Sequence, residues 1–282
     1  MTPRTLAVVT GAAGFIGSHM VDLLLREGVC VHAIDNLSSG RLENLAHQEG
    51  NPDLDIRVQD LRDIEPTDSV FKDATYVFHF AGMGDIVPSI DQPTEYLSVN
   101  VMGTVRVLVA ARNARVEKFV YAASSSCYGL ATELPTTEQA RIDTQYPYAL
   151  SKYLGEQALF HWGQVYGLPV VSIRMFNVYG PRSRTSGAYG AVFGVFLKQV
   201  LARKPFTVVG DGTQTRDFVF VTDVVKAFWQ AARSRYSGEI YNLGAGAPQL
   251  VNRLVELMGG GEVVHLPKRP GEPECTLSLI HI

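Results

Sequence analysis

The residues TGAAGFIG, numbers 10 to 17, lie between the apolar run LAVVT (6–10) and a helix-like segment from Phe15 to Arg26. The glycines at 11, 14 and 17 allow a tight turn and close approach of a ligand to the backbone. A helix that begins at such a turn presents free N–H groups and a partial positive charge. The sequence therefore predicts a strand, a loop and a helix that together bind a pyrophosphate.

This alternation of apolar runs and helical patterns continues along the chain. The further predicted strands are VCVHAID (29–35), DIRVQD (55–60), YVFHFAG (76–82), KFVYAAS (118–124) and PVVSIRMF (169–176). Strands that are apolar throughout and separated by helices indicate a parallel sheet covered on both faces. We therefore predict an α/β fold: a Rossmann-type doubly wound parallel sheet with a smaller C-terminal substrate-binding region.

The bulk composition excludes several classes of protein. The chain has 282 residues, 46% of them hydrophobic, and a net charge of -3, which gives no basic surface for nucleic acid or an anionic membrane. The three cysteines, Cys30, Cys127 and Cys275, are too few and too scattered for a disulfide framework or a zinc site. We therefore predict a cytoplasmic protein with no metal, no nucleic-acid partner and no membrane partner.

The end of the second predicted strand indicates which dinucleotide binds. Asp35 follows Gly17 by 18 residues, where a carboxylate accepts both hydroxyls of an adenosine ribose and repels a 2′-phosphate. We predict NAD as the cofactor; NADP is the alternative, because Arg41 lies close behind and can pair with a phosphate. Asp60, which ends the third strand, is predicted to meet the adenine edge, with a helix or turn cap as the alternative.

The regular alternation of predicted strands and helices ends after Tyr179, where glycine and proline become frequent and the predicted strands and helices become shorter. We predict an NAD-binding Rossmann domain over residues 1–177 and an interleaved substrate-binding region over 178–276. The last six residues, LSLIHI (277–282), are similar to the translation of a sequencing adapter. We expect them to be a sequencing scar, with the natural chain continuing beyond Thr276; a short natural strand is the alternative.

The segment YPYALSK (146–152) carries a candidate base. Positions i and i+4 of a helix share a face, so Tyr148 and Lys152 can point into one pocket, whereas Tyr146 cannot easily join them. A tyrosine has an ordinary pKa near 10, so it needs nearby positive charge to act as a base at neutral pH. Lys152 and an oxidised nicotinamide supply two such charges. The alternative is an ordinary half-buried tyrosine beside a solvated lysine.

A third catalytic group is expected at the end of the fifth strand, in AASSSCYG (122–129). Ligands of parallel sheets bind at the carboxyl ends of the strands. We predict that Ser124 donates the hydrogen bond that steadies the reacting oxygen, with Ser125 and Ser126 as substrate contacts. The alternative is that the three serines are simply a polar strand end.

Six motifs in this order are similar to those of the extended short-chain dehydrogenase/reductase family, specifically its nucleotide-sugar epimerases and dehydratases. They are TGAAGFIG, SSSCYG, YALSK, RMFNVYGPR, GDGTQTRDFVFV and RPGEP. The resemblance runs from Thr5 to about Thr276.

The resemblance implies a role for each matching residue. Tyr148 is the base, Lys152 lowers its pKa and holds the nicotinamide ribose, and Ser124 bridges to the sugar. The implied contacts to the nucleotide diphosphate are Asn177, Arg216 and Arg269, for which surface salt bridges of the arginines are the alternative. The predicted cofactor contacts, besides Tyr148 and Lys152, are Gly11, Gly14, Phe15, Ile16, Gly17, Asp35, Asn36, Asp60, Leu61, Phe80, Ala81, Gly82 and Asn100.

Differences from sister groups narrow the expected reaction. Sugar 4,6-dehydratases carry Asp and Glu directly after the Ser/Thr, and nucleotide-glucuronate decarboxylases carry Glu at the position of Ser126. This chain has serines at both positions, so we predict the simplest redox cycle, C4 epimerisation of a UDP-sugar through a transient 4-keto intermediate. A dehydratase or oxidoreductase of the same family is one alternative, and a non-catalytic dinucleotide-sensing protein is another.

The substrate and the assembly state follow from the same resemblance. In similar epimerases a size gate lies four residues after the acidic residue of RPGEP, which is Thr276 here. Because this residue is small, and because SGAYGAVFGVF (186–196) is similar to enzymes of N-acetylated hexosamines, we predict that UDP-GlcNAc and UDP-GalNAc are accepted alongside UDP-Glc and UDP-Gal. A homodimer through the helices near Val105 and Leu154 is also implied.

Overall fold

The computed structural model describes residues 4–131, 133–183, 192–267 and 274–278. Its strands, numbered along the chain, are β1 Leu6–Thr10, β2 Cys30–Asp35, β3 Leu54–Val58, β4 Tyr76–His79, β5 Lys118–Ser124, β6 Val170–Met175, β7 Asn177–Tyr179, β8 Phe206–Val209, β9 Thr215–Arg216, β10 Phe218–Phe220, β11 Glu239–Leu243, β12 Gln249–Leu250 and β13 Val263–Leu266. Its helices are α1 Phe15–Arg26, α2 Ile86–Asp91, α3 Pro93–Leu97, α4 Thr104–Ala114, α5 Pro147–Tyr166, α6 Val192–Leu201, α7 Val221–Arg233 and α8 Val251–Leu257.

The main sheet has seven strands in the order β3-β2-β1-β4-β5-β6-β11. Every neighbouring pair in it is parallel. Because β1 lies inside the sheet and the chain winds outward in both directions from it, the predicted doubly wound Rossmann-type fold is confirmed. The predicted strand at 118–124 and helix at 15–26 have the predicted bounds.

Both faces of the sheet are buried, as its uninterrupted apolar strands require. On one face the strands pack against α1 and α7, through residues such as Met20, Leu24 and Phe228. On the other face they pack against α4 and α5, through residues such as Leu108 and Leu159. Because helices pack on both faces, the ends of the strands are held in place, and the loops that carry the predicted site residues begin at those ends.

The helical segment that precedes β5, from Pro93 to Ala114, is irregular. It begins at Pro93, where a proline is pre-organised for the first helical turn. Residues Ser98–Gly103 then form a π-helical turn before α4 continues. Such turns often lie at functional sites. This one brings the Asn100 side chain to the backbone of Met83, with which it makes two hydrogen bonds.

The C-terminal part of the chain is shared between two bodies. β11, which the sequence placed in the smaller region, pairs with β6 and forms one edge of the main sheet. The other short strands pair as β7 with β10, β9 with β12 and β8 with β13. The pair β8 and β13 shares a separate apolar cluster with α6 and α8. The carbonyl of Leu277, near the C-terminus, accepts a hydrogen bond from the backbone N–H of Thr136 at 2.8 Å.

Candidate active site

The carboxyl ends of the parallel strands meet at one edge of the sheet and gather the predicted site residues there. β1 ends at Thr10, β2 at Asp35, β4 at His79 and β5 at Ser124. In the registry of the sheet, Ser124 lies beside Met175, two residues before Asn177. The predicted residues at these strand ends, among them Asp35, Ser124 and Asn177, therefore lie along the same edge.

The glycine loop has the shape that its sequence predicted. Gly11 has a φ of +68°, and a Cβ built on it would lie 2.7 Å from the backbone nitrogen of Ala81. Gly14 is the N-cap of α1, and no side chain caps that helix. The turn that holds Phe15, Ile16 and Gly17 therefore offers its N–H groups to an anion, which suits a pyrophosphate.

Asp35 lies beside this loop and is held by backbone donors. Its Oδ2 accepts a hydrogen bond from the N–H of Ala13 at 2.9 Å, and its Oδ1 accepts one from Leu37 at 2.8 Å. Burial raises the pKa of the carboxyl, while the backbone hydrogen bonds act in the opposite direction. Each oxygen has a second lone pair, so the carboxylate can still accept ribose hydroxyls.

Asp60 makes the contacts of a cap. Its carboxylate accepts from the backbone and guanidinium of Arg62 and from Asn36 Nδ2, all at 2.9 Å. It also caps the short 3-10 turn Leu61–Asp63, whose first residue is buried. The hydrogen bonds from Arg62 hold the pKa of Asp60 well below its usual range. The structure thus shows the capping alternative, and an adenine contact of Asp60 stays a prediction.

The remaining predicted cofactor residues line the turn after β4. The ring of Phe80 packs at 4.6 Å against Phe228, and the N–H of Ala81 donates to Thr10 Oγ1 at 3.3 Å. Gly82 faces α5, because a Cβ built on it would lie 3.8 Å from Lys152 Nζ. Both amide protons of Asn100 are donated within the protein, so this side chain positions the turn.

The Asn100 hydrogen bonds are specific. Its Oδ1 accepts from the N–H of Met83 at 2.8 Å, and its Nδ2 donates to the carbonyl of Met83 at 3.0 Å and to Ser151 Oγ at 2.9 Å. All of the ordinary hydrogen-bonding directions of the side chain except one acceptor lone pair are therefore filled.

Tyr148 lies at the start of α5, where it is half-buried and interacts with Ser124 at the end of β5. Burial raises the pKa of its phenol, the Ser124 hydrogen bond lowers it, and the charge of Asp85 raises it further. In the protein alone, the phenol is therefore protonated at neutral pH. A base role for Tyr148 needs additional positive charge beside the ring.

Lys152 lies one turn further along α5 and is only 7% exposed. Its Nζ is 4.4 Å from the centre of the Tyr121 ring. Burial lowers the pKa of this lysine to about 8, and the charge of Glu156 opposes that shift. The ammonium group makes no hydrogen bond with the described part of the chain, so its donors are available to a ligand.

The serine run forms a turn of its own. Ser124 Oγ accepts from the N–H of Ser126 at 3.2 Å, and the Oγ atoms of the two residues are 2.8 Å apart. Ser125–Tyr128 is a single 3-10 turn, in which Ser125 and Ser126 are half-buried. The turn orients Ser124 toward Tyr148.

Two of the predicted diphosphate residues lie on short strands, Asn177 on β7 and Arg216 on β9. Asn177 Nδ2 donates to Thr276 Oγ1 at 3.0 Å, which brings together two residues 99 positions apart. Arg216 is half-buried on β9, and its Nη1 donates to the carbonyl of Thr215 at 2.9 Å. Arg269 lies outside the described residues, as does Glu272, from which the position of the size gate was counted.

These features fit a dinucleotide. The glycine loop and uncapped α1 suit a pyrophosphate, Asp35 suits an adenosine ribose, and Lys152 suits the second ribose. Within the described ranges, no group of three His, Cys, Asp or Glu side chains could hold a metal ion. No helix in those ranges is long and apolar enough to cross a membrane.

Comparison with known proteins agrees with this geometry. The profile of the "NAD dependent epimerase/dehydratase family" matches residues 7–244. The chain belongs to this family. NAD is therefore its cofactor, and the predictions of family and cofactor are confirmed.

Relatives within the family differ in the reaction they are named for. A UDP-glucose 4-epimerase of Mycolicibacterium smegmatis is 39% identical, over 96% of this chain and 85% of the relative. A UDP-N-acetyl-alpha-D-glucosaminuronate decarboxylase of Bacillus cytotoxicus is 30% identical, over 92% and 83%. A solved UDP-N-acetylglucosamine 4-epimerase from Methanobrevibacter ruminantium M1, in complex with UDP-N-acetylmuramic acid, is 34% identical with a TM-score of 0.94, over 99% and 91%.

Three buried polar groups around this edge were not predicted from the sequence. His79, fully buried, joins Thr10 Oγ1 at 2.7 Å to Thr104 Oγ1 at 2.9 Å. Asp217, also fully buried, accepts from the N–H groups of Ala245, Gly246 and Ser278. A polar residue inside an apolar strand, such as the histidine of YVFHF, was the available signal.

The third group is a buried ion pair between Glu156 and Arg174. Glu156 follows Lys152 by one helical turn, and Arg174 is the polar residue of the strand VVSIRM. Their spacing in the sequence carries no signal that they meet, because the contact depends on how α5 packs on β6.

Proposed function

We propose that this protein is an NAD-dependent UDP-sugar 4-epimerase. The observation that carries the proposal is the position of Tyr148 and Lys152 one turn apart on α5, with Tyr148 interacting with Ser124 at the carboxyl end of β5. NAD, when bound, supplies a reversible oxidant for the sugar carbon. The three side chains then have to bind the sugar oxygen and move its proton.

The proton chemistry divides among these residues. Tyr148 takes the proton from the sugar 4-hydroxyl and returns it when the opposite epimer forms. Lys152 stabilises the phenolate by its charge, since the protein's own surroundings raise the pKa of Tyr148. Ser124 donates a hydrogen bond to the reacting oxygen, which stabilises charge as it develops there.

The turn after Ser124 favours epimerisation over dehydration or decarboxylation. Elimination and decarboxylation need extra acid or base groups beside the sugar ring. Positions 125 and 126 are serines, and the hydroxyl of Ser126 is hydrogen-bonded to that of Ser124. The reaction class is tested by incubating the protein with a UDP-sugar: interconversion of the two C4 epimers supports the proposal, and accumulation of a keto sugar or NADH contradicts it.

Variants of the proposed base separate an enzyme from a dinucleotide-sensing protein. Tyr148→Phe removes the proton acceptor but keeps the ring, so NAD and UDP-sugar binding should persist while turnover falls by about 10² to 10⁴. Lys152→Met should also reduce turnover, with the rate recovering at high pH as the phenol ionises unaided. A Tyr148→Phe protein with near-native turnover would exclude Tyr148 as the base.

For the sugar, we propose that both unsubstituted and N-acetylated hexoses are accepted. Thr276 supports this, because it is small and its hydroxyl is held by Asn177, a proposed substrate contact. Assays on the UDP-Glc/UDP-Gal and UDP-GlcNAc/UDP-GalNAc pairs test it directly. Thr276→Tyr should remove activity on the N-acetyl pair through overpacking and spare the other pair.

We further propose a cytoplasmic homodimer that contacts through α4 and α5. The cysteines Cys30, Cys127 and Cys275 are free, which suits a reducing compartment. On the helices, Met102, beside α4, and Leu154 of α5 are 56% and 37% exposed. Light scattering of the native protein and of Leu154→Arg tests the assembly: the variant should be monomeric where the native protein is a dimer.

A further inference from the structure

A buried ion pair lies directly behind the proposed catalytic lysine. Glu156 on α5 is 1% exposed and Arg174 on β6 is 3% exposed. Arg174 Nη2 is 2.6 Å from Glu156 Oε2, and its Nε donates to both carboxylate oxygens at 3.1 and 3.2 Å. Ser172 Oγ donates to Oε1 at 2.6 Å. These bonds compensate a desolvation that is otherwise costly.

The pair also reaches the turn that follows Ser124. Arg174 Nη1 donates to the hydroxyl of Tyr128 at 2.8 Å, and the guanidinium carbon lies 5.0 Å from the centre of that ring. The Tyr128 hydroxyl in turn donates to Asn242 Oδ1 at 2.7 Å. Arg174 is therefore fixed from two sides, and it fixes the position of the Glu156 charge.

Glu156 and Lys152 are four residues apart, so they lie on the same face of α5. Burial lowers the pKa of Lys152, and Glu156 is the charge that raises it. The other titratable or charged groups that face either residue are His79 on β4, Tyr121 on β5, Cys127 and Tyr128 in the serine turn, Tyr148 on α5 and Arg174 on β6. Of all the described groups around Lys152, the carboxylate of Glu156 is the one that favours the ammonium form of the lysine.

We propose that Glu156 is a positioning residue that keeps Lys152 protonated at the pH at which the enzyme works, and that Arg174 limits this effect by holding the carboxylate. Arg174 holds the carboxylate in place, and the carboxylate acts on the lysine through one turn of helix. The inference rests on the proposed function of Lys152, and it adds two residues that act without touching substrate or cofactor.

The direct test is the titration of Lys152 in the 282-residue protein. The chain has seven lysines, so ¹³C labelling at lysine Cε gives few resonances, and Lys152→Arg identifies the one that belongs to Lys152. The test variant is Glu156→Gln/Arg174→Met, which removes both charges together and leaves an amide oxygen for Ser172. Glu256→Gln is the matched control, because it breaks an exposed pair with Arg253 on α8.

We expect the Lys152 midpoint in the double variant to fall by about one pH unit, the lower end of what an opposite charge at this range contributes. Turnover in the double variant should then be about tenfold lower than native at pH 9 and within about twofold at pH 6.5, since the protonated fraction changes in that proportion. The Glu256→Gln control should leave both the NMR midpoint and the turnover profile in place.

A second variant keeps the proposal testable if the double variant does not fold. Arg174→Met alone leaves Glu156 free to pair with Lys152, so the lysine midpoint should rise above the native value. A midpoint that stays at the native value in either variant would overturn the proposal. Because NMR reports on Lys152 whether or not the protein turns over, a native enzyme without epimerase activity would refute only the proposed function.

Discussion

Tyr121 contacts Lys152 at two points. Its hydroxyl donates to the backbone carbonyl of Lys152 at 3.1 Å, and its ring lies 4.4 Å beneath the ammonium nitrogen. A strand of the sheet thus fixes both the backbone and the charged end of the proposed catalytic lysine. Burial raises the pKa of Tyr121 far above its ordinary value, so this hydroxyl stays a donor throughout the working pH range.

Tyr121→Phe removes the hydroxyl and keeps the ring. We expect a loss of about 1 kcal/mol in the free energy of unfolding, because one buried carbonyl loses its side-chain donor. Turnover should fall only a few-fold, since the ring still lies beneath the ammonium. Urea denaturation and epimerase assays check both values, and a loss of stability above about 3 kcal/mol would show that the hydroxyl does more than this one hydrogen bond.

Gly11→Ala and Gly28→Ala form a matched pair. Both glycines have positive φ, +68° and +75°, but a Cβ on Gly11 meets the backbone of Ala81 at 2.7 Å, whereas a Cβ on Gly28 has nothing within 4 Å. Gly28→Ala should therefore cost only the backbone strain, about 1 kcal/mol. Gly11→Ala should cost clearly more and weaken NAD binding. Equal losses in urea denaturation would mean that the loop moves to accommodate the methyl group.

Asp35→Asn tests the basis of cofactor choice. The amide keeps the shape of the carboxylate but loses its charge and one acceptor, so NAD binding should weaken by roughly tenfold or more. NADP binding should weaken less or improve, because the repulsion of the 2′-phosphate is gone. Calorimetric titration with each dinucleotide measures the ratio, and Asp55→Asn, on the exposed side of β3, serves as the control. An unchanged NAD/NADP ratio would contradict the role of Asp35.

His79 makes the fold sensitive to acid. Burial lowers its pKa to about 3 from an ordinary value of 6.5, so the unfolded chain binds a proton that the folded chain does not. The stability contributed by neutral His79 is complete above pH 6.5 and is lost as the pH falls from 6.5 toward 3, at up to about 1.4 kcal/mol per pH unit.

His79→Gln should reduce this acid sensitivity, although the variant should be less stable than the native protein at pH 7.5. Near pH 5, the dependence of the unfolding free energy on pH should become shallower by nearly the contribution of one bound proton, about 1.4 kcal/mol per pH unit. His161→Gln, at an exposed position on α5, should keep the native slope. Coincident slopes for His79→Gln and the native protein would show that His79 is protonated in the fold.

The sequence predicted those parts of the molecule that depend on local pattern. The strand at 118–124, the helix at 15–26 and the glycine loop follow from apolar periodicity and from glycine's access to positive φ, both of which act within a few residues. Tyr148 and Lys152 followed from the helical repeat. The pairing of the edge strand β11 with β6 was not predicted, because the two strands are separated by a long stretch of chain.

The buried polar contacts were beyond sequence reasoning for the same reason. Asp60 has the spacing of an adenine contact, yet its oxygens are held by Arg62 and Asn36, since a carboxylate at the start of a turn is first satisfied by the nearest donors. The Glu156–Arg174 pair and the hydrogen bonds of Asp217 join elements whose meeting depends on packing. A single sequence shows which residue types stand at these positions, but it does not show which residues they contact in the folded protein.

The pairing of β11 with β6 bears on how the protein is made. During synthesis, β6 leaves the ribosome before Glu239–Leu243 exists, so it emerges as an unpaired edge that can associate with other nascent chains. α7, which covers one face of the same sheet, is also made late. The main sheet is therefore complete only after β11 has been translated, by which time most of the smaller C-terminal region has also been made. A polypeptide released before that point would expose the β6 edge to chaperones and proteases.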